Sequence, residues 1–140
     1  MQLDADTEDA LLRAALAARE NAYAPYSGFR VGAAALDAEG RIHAGCNVEN
    51  AAYPQSQCAE ATALGAMVTA GAWTLQAIAV AGPDTDEEGP LLTPCGGCRQ
   101  RIREFATASL PVLLCQPRGI VARRELAALL PESFGPGHLG

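Results

Sequence analysis

With 140 residues and a formal net charge of −6, the chain is long enough for one compact domain and too short for two of ordinary size. It contains arginine but no lysine, and its arginines form no long basic stripe, which excludes a partner held mainly through phosphates, such as nucleic acid. No apolar run is long enough to cross a bilayer and the first residues are acidic, so we expect no membrane partner, no signal peptide and a cytoplasmic location.

The first third of the chain predicts a helix followed by a β-hairpin. Thr7 can cap a helix over residues 8–22, where leucines and alanines recur at helical spacing. Two short apolar runs follow, at residues 29–36 and 42–47. The turn-forming residues 37–40 lie between them, which indicates that the two strands are antiparallel neighbours.

The rest of the chain alternates helices with β-rich segments. The predicted elements are, in order, a helix at 57–70, a strand at 75–82, an acidic loop at 83–94, a helix at 96–106, a strand at 110–115, a short strand after a turn at 116–119, and a last helix near 124–130. Such an alternation favours a sheet covered by helices on both faces, and the hairpin makes that sheet mixed. We therefore predict a single α/β domain over residues 1–140, a three-layer α/β/α sandwich with a central mixed five-stranded sheet.

Three of the five cysteines lie in two short motifs, each at the start of a predicted helix. The motifs are Cys58-Ala59-Glu60 and Pro94-Cys95-Gly96-Gly97-Cys98. Cysteines three residues apart share one helix face, and Cys58 can reach the same centre if the two helix starts adjoin. Helix N-termini should stabilise the thiolates, and three thiolates suit one Zn²⁺ per chain with the fourth position open to water. The order of the motifs matches the general signature of zinc deaminases, in which the glutamate moves protons while water replaces the amino group of a base.

Four blocks of sequence resemble the small homotetrameric zinc-dependent cytidine deaminases, and the likeness covers nearly the whole chain. The blocks are Tyr23-Ala24-Pro25-Tyr26-Ser27 with Phe29 and residues 31–34, residues 45–53, Cys58-Ala59-Glu60, and residues 94–100. The resemblance implies hydrolytic deamination of cytidine and 2′-deoxycytidine to uridine and 2′-deoxyuridine, with release of ammonia, as a step of pyrimidine salvage. It implies Glu60 as the catalytic residue, with Cys58, Cys95 and Cys98 as the zinc ligands.

The resemblance also implies how a small nucleoside substrate is bound. Phe29 would stack on the pyrimidine ring, and the backbone of Ala59 would help to hold the base. Asn47 and Glu49 would form hydrogen bonds with the ribose 3′-hydroxyl.

The same resemblance implies a homotetramer in which neighbouring subunits share active sites. Tyr53 and Phe134 would make contacts at or across a subunit interface. The helix after Cys58 carries a face of small residues, namely Ala61, Gly65, Ala66 and Ala70. This face predicts either the centre of the tetramer or ordinary packing on the sheet.

Ala61 is a departure from the family pattern. Family members with three cysteine ligands usually carry arginine directly after the glutamate, and its charge tempers the surplus negative charge of three thiolates on one zinc ion. We hypothesise that helix dipoles and N–H···S bonds, or another arginine such as Arg99, take over this role.

Other interpretations of the motifs remain open from the sequence. A closed structural zinc site would need a fourth ligand, for which Cys46, His43 and His138 are the candidates. A deaminase of another cytosine-bearing compound, such as an antibiotic of the blasticidin type, or a polynucleotide editor would share the zinc motifs. Outside the metal site, we expect Cys46 and Cys115 to be buried thiols in strands.

Overall fold

The computed structural model describes residues 3–86 and 88–140 and contains four α-helices, two single-turn 3-10 helices (Tyr53–Gln55 and Pro136–His138) and five strands within those ranges. In chain order, the α-helices and strands are α1 (Ala5–Arg19), β1 (Gly32–Asp37), β2 (Ile42–Cys46), α2 (Ala59–Thr69), β3 (Leu75–Ala81), α3 (Gly96–Glu104), β4 (Pro111–Gln116), β5 (Gly119–Glu125) and α4 (Leu126–Leu129). The strand order is β2-β1-β3-β4-β5. β3 and β4 are parallel and the other neighbours antiparallel, which confirms the predicted mixed five-stranded sheet.

Helices cover both faces of this sheet because successive side chains of a strand point to opposite sides. On one face, Leu11 and Ala15 of α1 pack with Ala34 of β1. On the other face, Met67 of α2 and Ile102 of α3 belong to one core. All six residues of β1 are buried, as expected for a strand covered on both faces, and the three-layer prediction is confirmed.

Two predicted helix starts are wrong, one because of a helix cap and the other because of strand pairing. Helix α1 begins at Ala5 rather than after Thr7, because the Asp4 carboxylate accepts the Thr7 backbone N–H at 2.7 Å and caps the helix earlier. The last helix is only one turn long. Arg124 and Glu125, predicted at its start, belong to β5 because their backbone pairs with β4.

The hairpin between β1 and β2 is held by a buried carboxylate, Asp37, which is 1% exposed. Asp37 accepts hydrogen bonds from the backbone N–H groups of Glu39 and Arg41, from the Arg41 Nε–H at 3.0 Å and from the His43 Nε2–H at 2.8 Å. The hydrogen bond from His43 is the main cause that keeps the pKa of Asp37 below its usual range. His43 therefore has a structural partner.

Helix α2 lies against the backbone of β2 at Gly45. A Cβ atom at this position would stand 2.8 Å from Thr62 Cβ and still closer to the Ala63 backbone nitrogen. Real Cβ atoms do not approach so closely, so only glycine lets the start of α2 sit where it does. The position of this helix start relative to α3 depends on that contact.

Gly45→Ala is expected to lower the free energy of unfolding by about 1–3 kcal/mol, because overpacking forces α2 away from the sheet. Urea unfolding measures the change. The matched control is Ala44→Val, since Ala44 is exposed on the same strand and its substitution should change stability by no more than about 0.5 kcal/mol. Equal stability of the two variants would contradict the close packing.

None of the described helices combines the length and the apolar composition needed to cross a membrane.

Candidate active site

The sulfur atoms of Cys58, Cys95 and Cys98 form one cluster. Cys58 is the N-cap of α2, Cys95 is the N-cap of α3, and Cys98 follows in the first turn of α3. The three Sγ atoms lie within 4.8 Å of one another, and the Cys58 and Cys95 sulfurs are 3.9 Å apart. Tetrahedral Zn–S bonds of about 2.3 Å separate two sulfurs by about 3.8 Å. The donor set and its spacing therefore fit one zinc ion.

Burial alone does not favour ionised sulfur at this cluster. It raises the pKa of the Cys58 thiol and raises that of the Cys98 thiol strongly. At Cys95 burial also acts to raise the pKa, but hydrogen bonds from the Cys98 backbone and the neighbouring thiols outweigh it and the pKa is lowered. The helix starts therefore do not offset burial at Cys58 and Cys98, and a bound metal cation would favour the thiolate forms.

The fourth ligands considered for a closed site lie elsewhere. His43 is bonded to Asp37, and His138 Nδ1 lies beside the Gly135 backbone nitrogen at 3.1 Å. Cys46 is in β2 and only partly buried, contrary to our expectation, whereas Cys115 is buried as predicted. Within residues 3–86 and 88–140, no further His, Cys, Asp or Glu completes a four-ligand cluster with the three sulfurs.

Glu60 lies in the first turn of α2 and is 4% exposed. Burial raises the pKa of its carboxyl group, while its own backbone N–H and the charge of Arg101 act in the opposite direction. A carboxyl group with a raised pKa takes up a proton more readily than an exposed one, as a group that relays protons must. Its environment therefore suits a proton carrier.

A cavity of about 220 Å³ joins Glu60 to the sulfur cluster. Its walls include several residues selected from the sequence, namely Phe29, Asn47, Cys58, Ala59, Glu60 and Cys95. Leu92 and Thr93 also line it. These two belong to the segment that we described from its composition only as an acidic loop, and no sequence signal marked them.

Apart from Cys98, which belongs to the sulfur cluster, three of the residues selected from the sequence lie outside this cavity. Glu49 and Tyr53 line a neighbouring depression of about 380 Å³. Phe134 is in the C-terminal segment, where its ring stacks on His138 with centroids 4.8 Å apart. The chain thus brings the zinc ligands, Glu60, Phe29, Asn47 and Ala59 together and leaves the other three apart from them.

Asn47 and Glu49 have a structural task that the sequence did not reveal. Asn47 Nδ2 donates to the Phe29 carbonyl at 2.8 Å, and Asn47 Oδ1 accepts the Val31 N–H at 2.9 Å. Glu49 Oε1 accepts the backbone N–H groups of Tyr26 at 2.9 Å and Ser27 at 3.1 Å, and its other oxygen accepts the Ser27 hydroxyl. Both side chains therefore hold the segment that carries Phe29 against the cavity.

The same hydrogen bonds set the charge of Glu49. The Ser27 hydroxyl is the main cause that lowers the pKa of Glu49. Glu49 is therefore an ionised acceptor at neutral pH.

The guanidinium of Arg99 has hydrogen-bond partners outside the sulfur cluster. It donates to the Pro94 carbonyl at 2.7 Å, to the Leu129 carbonyl at 2.6 Å and to the Thr93 hydroxyl at 2.8 Å. These bonds join the start of α3 to the preceding loop and to α4. The described hydrogen bonds of Arg99 therefore do not reach a sulfur atom of the cluster.

Three cysteine ligands and a buried glutamate at the starts of two helices, beside a mixed sheet, define a zinc-dependent deaminase. Residues 5–114 match the family model for the cytidine and deoxycytidylate deaminase zinc-binding region. The chain belongs to the cytidine deaminase family.

Individual relatives agree with this assignment. The chain is 48% identical over 117 residues to the cytidine deaminase of Sporosarcina psychrophila, a match covering 84% of this chain and 83% of that protein. It is 42% identical over 124 residues to the cytidine deaminase of Halalkalibacterium halodurans, covering 89% and 91% respectively. The crystal structure of cytidine deaminase from Burkholderia pseudomallei is similar with a TM-score of 0.81 and 45% identity, covering 90% of this chain and 98% of that one.

Proposed function

We propose that the chain hydrolyses the amino group of cytidine and 2′-deoxycytidine, giving uridine and 2′-deoxyuridine with release of ammonia. The observation that carries the proposal is the position of Glu60, buried beside three metal-binding sulfurs in a cavity that Phe29 also lines. A closed structural zinc site would have no use for that carboxyl group.

In the proposed mechanism, Glu60 moves two protons. Cys58, Cys95 and Cys98 would hold a zinc ion, which would lower the pKa of a water molecule so that the water can lose a proton near neutral pH. Glu60 accepts this proton and donates it to N3 of the cytosine ring as the oxygen bonds to C4. The carboxylate then takes the hydroxyl proton and passes it to the amino group, so that the C4–N bond breaks, ammonia leaves and C4 becomes a carbonyl.

The cavity walls would orient the nucleoside. Phe29 offers its ring for stacking on the pyrimidine, since aromatic faces bind bases in an offset stack. Ala59 is completely buried at the start of α2, and its backbone would hold the base edge. Asn47 would accept or donate a hydrogen bond at the ribose 3′-hydroxyl, and the ionised Glu49 would accept one, while both side chains hold the Phe29 segment.

Exposed residues support the proposal of a homotetramer with shared active sites. Tyr53 is 71% exposed and Phe134 is 55% exposed, so both rings are free to contact a neighbouring subunit. Gly65, Ala66 and Ala70 are also exposed, so this face of α2 does not pack on the sheet of its own subunit. Their small side chains would allow close approach of helices from other subunits.

Size-exclusion chromatography with light scattering is expected to give a mass about four times that of one chain, because shared active sites require stable association. A monomer at the concentrations used for kinetics would contradict shared sites.

We further propose that this single catalytic domain serves pyrimidine salvage in the cytoplasm. All five cysteines are free thiols, and a reducing compartment keeps thiols available for zinc.

The decisive test of the function is the loss of ultraviolet absorbance when the purified, zinc-loaded chain is mixed with cytidine. Parallel reactions contain 2′-deoxycytidine, a cytosine-bearing nucleoside antibiotic, or a single-stranded oligonucleotide. We expect turnover of the two free nucleosides. Turnover of the antibiotic or the oligonucleotide alone would contradict the proposed substrate class, and no ammonia release from any of the four would contradict deamination.

A further inference from the structure

Three thiolates bring more negative charge than one zinc ion can balance, and the site has a cation close to one of them. Arg101 lies one helical turn after Cys98 on α3, and its Nη1 is 3.9 Å from Cys98 Sγ. Cys98 is completely buried, so little water screens this contact from the sulfur side. A guanidinium at a desolvated thiolate is a strong electrostatic partner.

Small neighbouring residues leave space for the Arg101 side chain. Arg101 and Ala61 line the same cavity of about 740 Å³ between α3 and α2. A Cβ atom on Gly97 would lie 3.1 Å from Arg101 Nη1, so a larger residue there would crowd the guanidinium. The short side chain of Ala61 and the missing one of Gly97 therefore leave room for Arg101 beside the sulfur cluster.

The other two arginines of α3 are engaged elsewhere. Arg99 bonds to the preceding loop and to α4, and Arg103 donates to the Ser133 hydroxyl at 2.9 Å and to the Ala106 carbonyl at 3.1 Å. Arg101 is thus the one arginine of α3 whose described hydrogen bond goes to a zinc-ligating sulfur. The charge of Arg101 also acts on Glu60, the neighbouring carboxyl group.

We propose that Arg101 is a positioning residue of the zinc site, which donates to Cys98 Sγ and supplies the compensating charge that Ala61 cannot supply. By drawing electron density from this sulfur, Arg101 stabilises three thiolates around a single dication and leaves the metal a better electrophile. The inference rests on the proposed zinc-dependent deamination, but its tests measure metal binding and the metal–sulfur absorption directly.

The first test is Arg101→Gln, which removes the charge and keeps a polar side chain. Arg101 is exposed, so the fold should remain intact. We expect zinc affinity, measured against a competing chelator, to fall roughly tenfold, because partners of metal ligands typically contribute 10–100-fold. In the cobalt-substituted protein, the sulfur-to-cobalt charge-transfer absorption should move to lower energy, since the thiolate has lost an N–H donor.

Arg103→Gln is the matched control, with the same charge loss on the same helix but no hydrogen bond to sulfur. It should leave both zinc affinity and the cobalt absorption unchanged. The double variant Ala61→Arg/Arg101→Gln places the guanidinium on the opposite wall of the same cavity and should recover most of the zinc affinity and the original absorption.

Unchanged zinc affinity and cobalt absorption in Arg101→Gln would overturn the proposal. A loss that Ala61→Arg does not recover would also overturn it, because Arg101 would then act through packing and not through charge. Both readouts are independent of turnover, so a wild-type chain without activity on cytidine would contradict the proposed function alone.

Discussion

Glu60→Gln is expected to lower the kcat for cytidine by about 10³–10⁴-fold while the protein keeps its zinc. The amide has nearly the size of the carboxyl group but cannot carry a proton between water, N3 and the leaving amino group. Because Glu60 lies at the cavity wall and is outside the sulfur cluster, its substitution should leave the metal ligands in place. Absorbance assays and metal analysis of the same sample measure both quantities.

Glu20→Gln is the control for this experiment, since Glu20 is exposed at the end of α1 and far along the chain from the motifs. Its kcat should equal that of the wild type. If Glu60→Gln retained near-normal turnover, Glu60 would not be the proton carrier. If it lost zinc together with activity, the residue would act through the metal site and not through proton transfer.

Cys98→Ala is expected to weaken zinc binding by more than about 100-fold, which exceeds the usual effect of removing a supporting hydrogen bond. Only two thiolates would remain, and the vacated position lies in a buried part of α3 where water is a poor substitute. Without bound metal, turnover of cytidine should disappear. Chelator competition and the cytidine assay measure the two effects.

Thermal unfolding provides a second readout for the same variant. Zinc at 100 times its wild-type dissociation constant should stabilise the wild-type chain by about 2.7 kcal/mol and Cys98→Ala by no more than about 0.4 kcal/mol. The matched control is Cys115→Ala, which removes an equally buried thiol from β4. This control should lose stability through the cavity it creates but keep its response to zinc. A zinc response in Cys98→Ala equal to that of the wild type would contradict its role as a ligand.

The two helix starts explain why the candidate site could be found before the fold was seen. Cys58 and Cys95 are N-caps and Cys98 is one turn further on, so local helix geometry already points all three towards the region ahead of the helices. Glu60 follows its cysteine by two residues and is carried on the same turn. Spacing within a single element is a local property and can be predicted from the sequence.

Boundaries were predicted less well because neighbouring segments compete for the same residues. Asp4 accepts the Thr7 N–H, so α1 begins earlier than predicted. Arg124 and Glu125 pair with β4 and therefore belong to the sheet. Residues 29–31 were predicted as strand, but β1 begins at Gly32 and Asn47 holds the Phe29 and Val31 backbone instead. The Asp4 cap is a local signal that the sequence analysis missed, whereas the other two differences arise from hydrogen bonds with distant segments that local propensity cannot foresee.

By itself, the sequence determined the α/β class, the cysteine cluster as the candidate zinc site and Glu60 as the candidate proton carrier, because periodicity and motif spacing act within one helix or strand. Only the tertiary structure showed that Arg101, and not Arg99, faces the sulfur of Cys98. Likewise, only the tertiary structure showed that the Asn47 side chain donates a hydrogen bond to the Phe29 carbonyl. These contacts depend on how whole elements pack, since the direction of a long side chain is decided by the space and the hydrogen-bond partners that other segments leave to it.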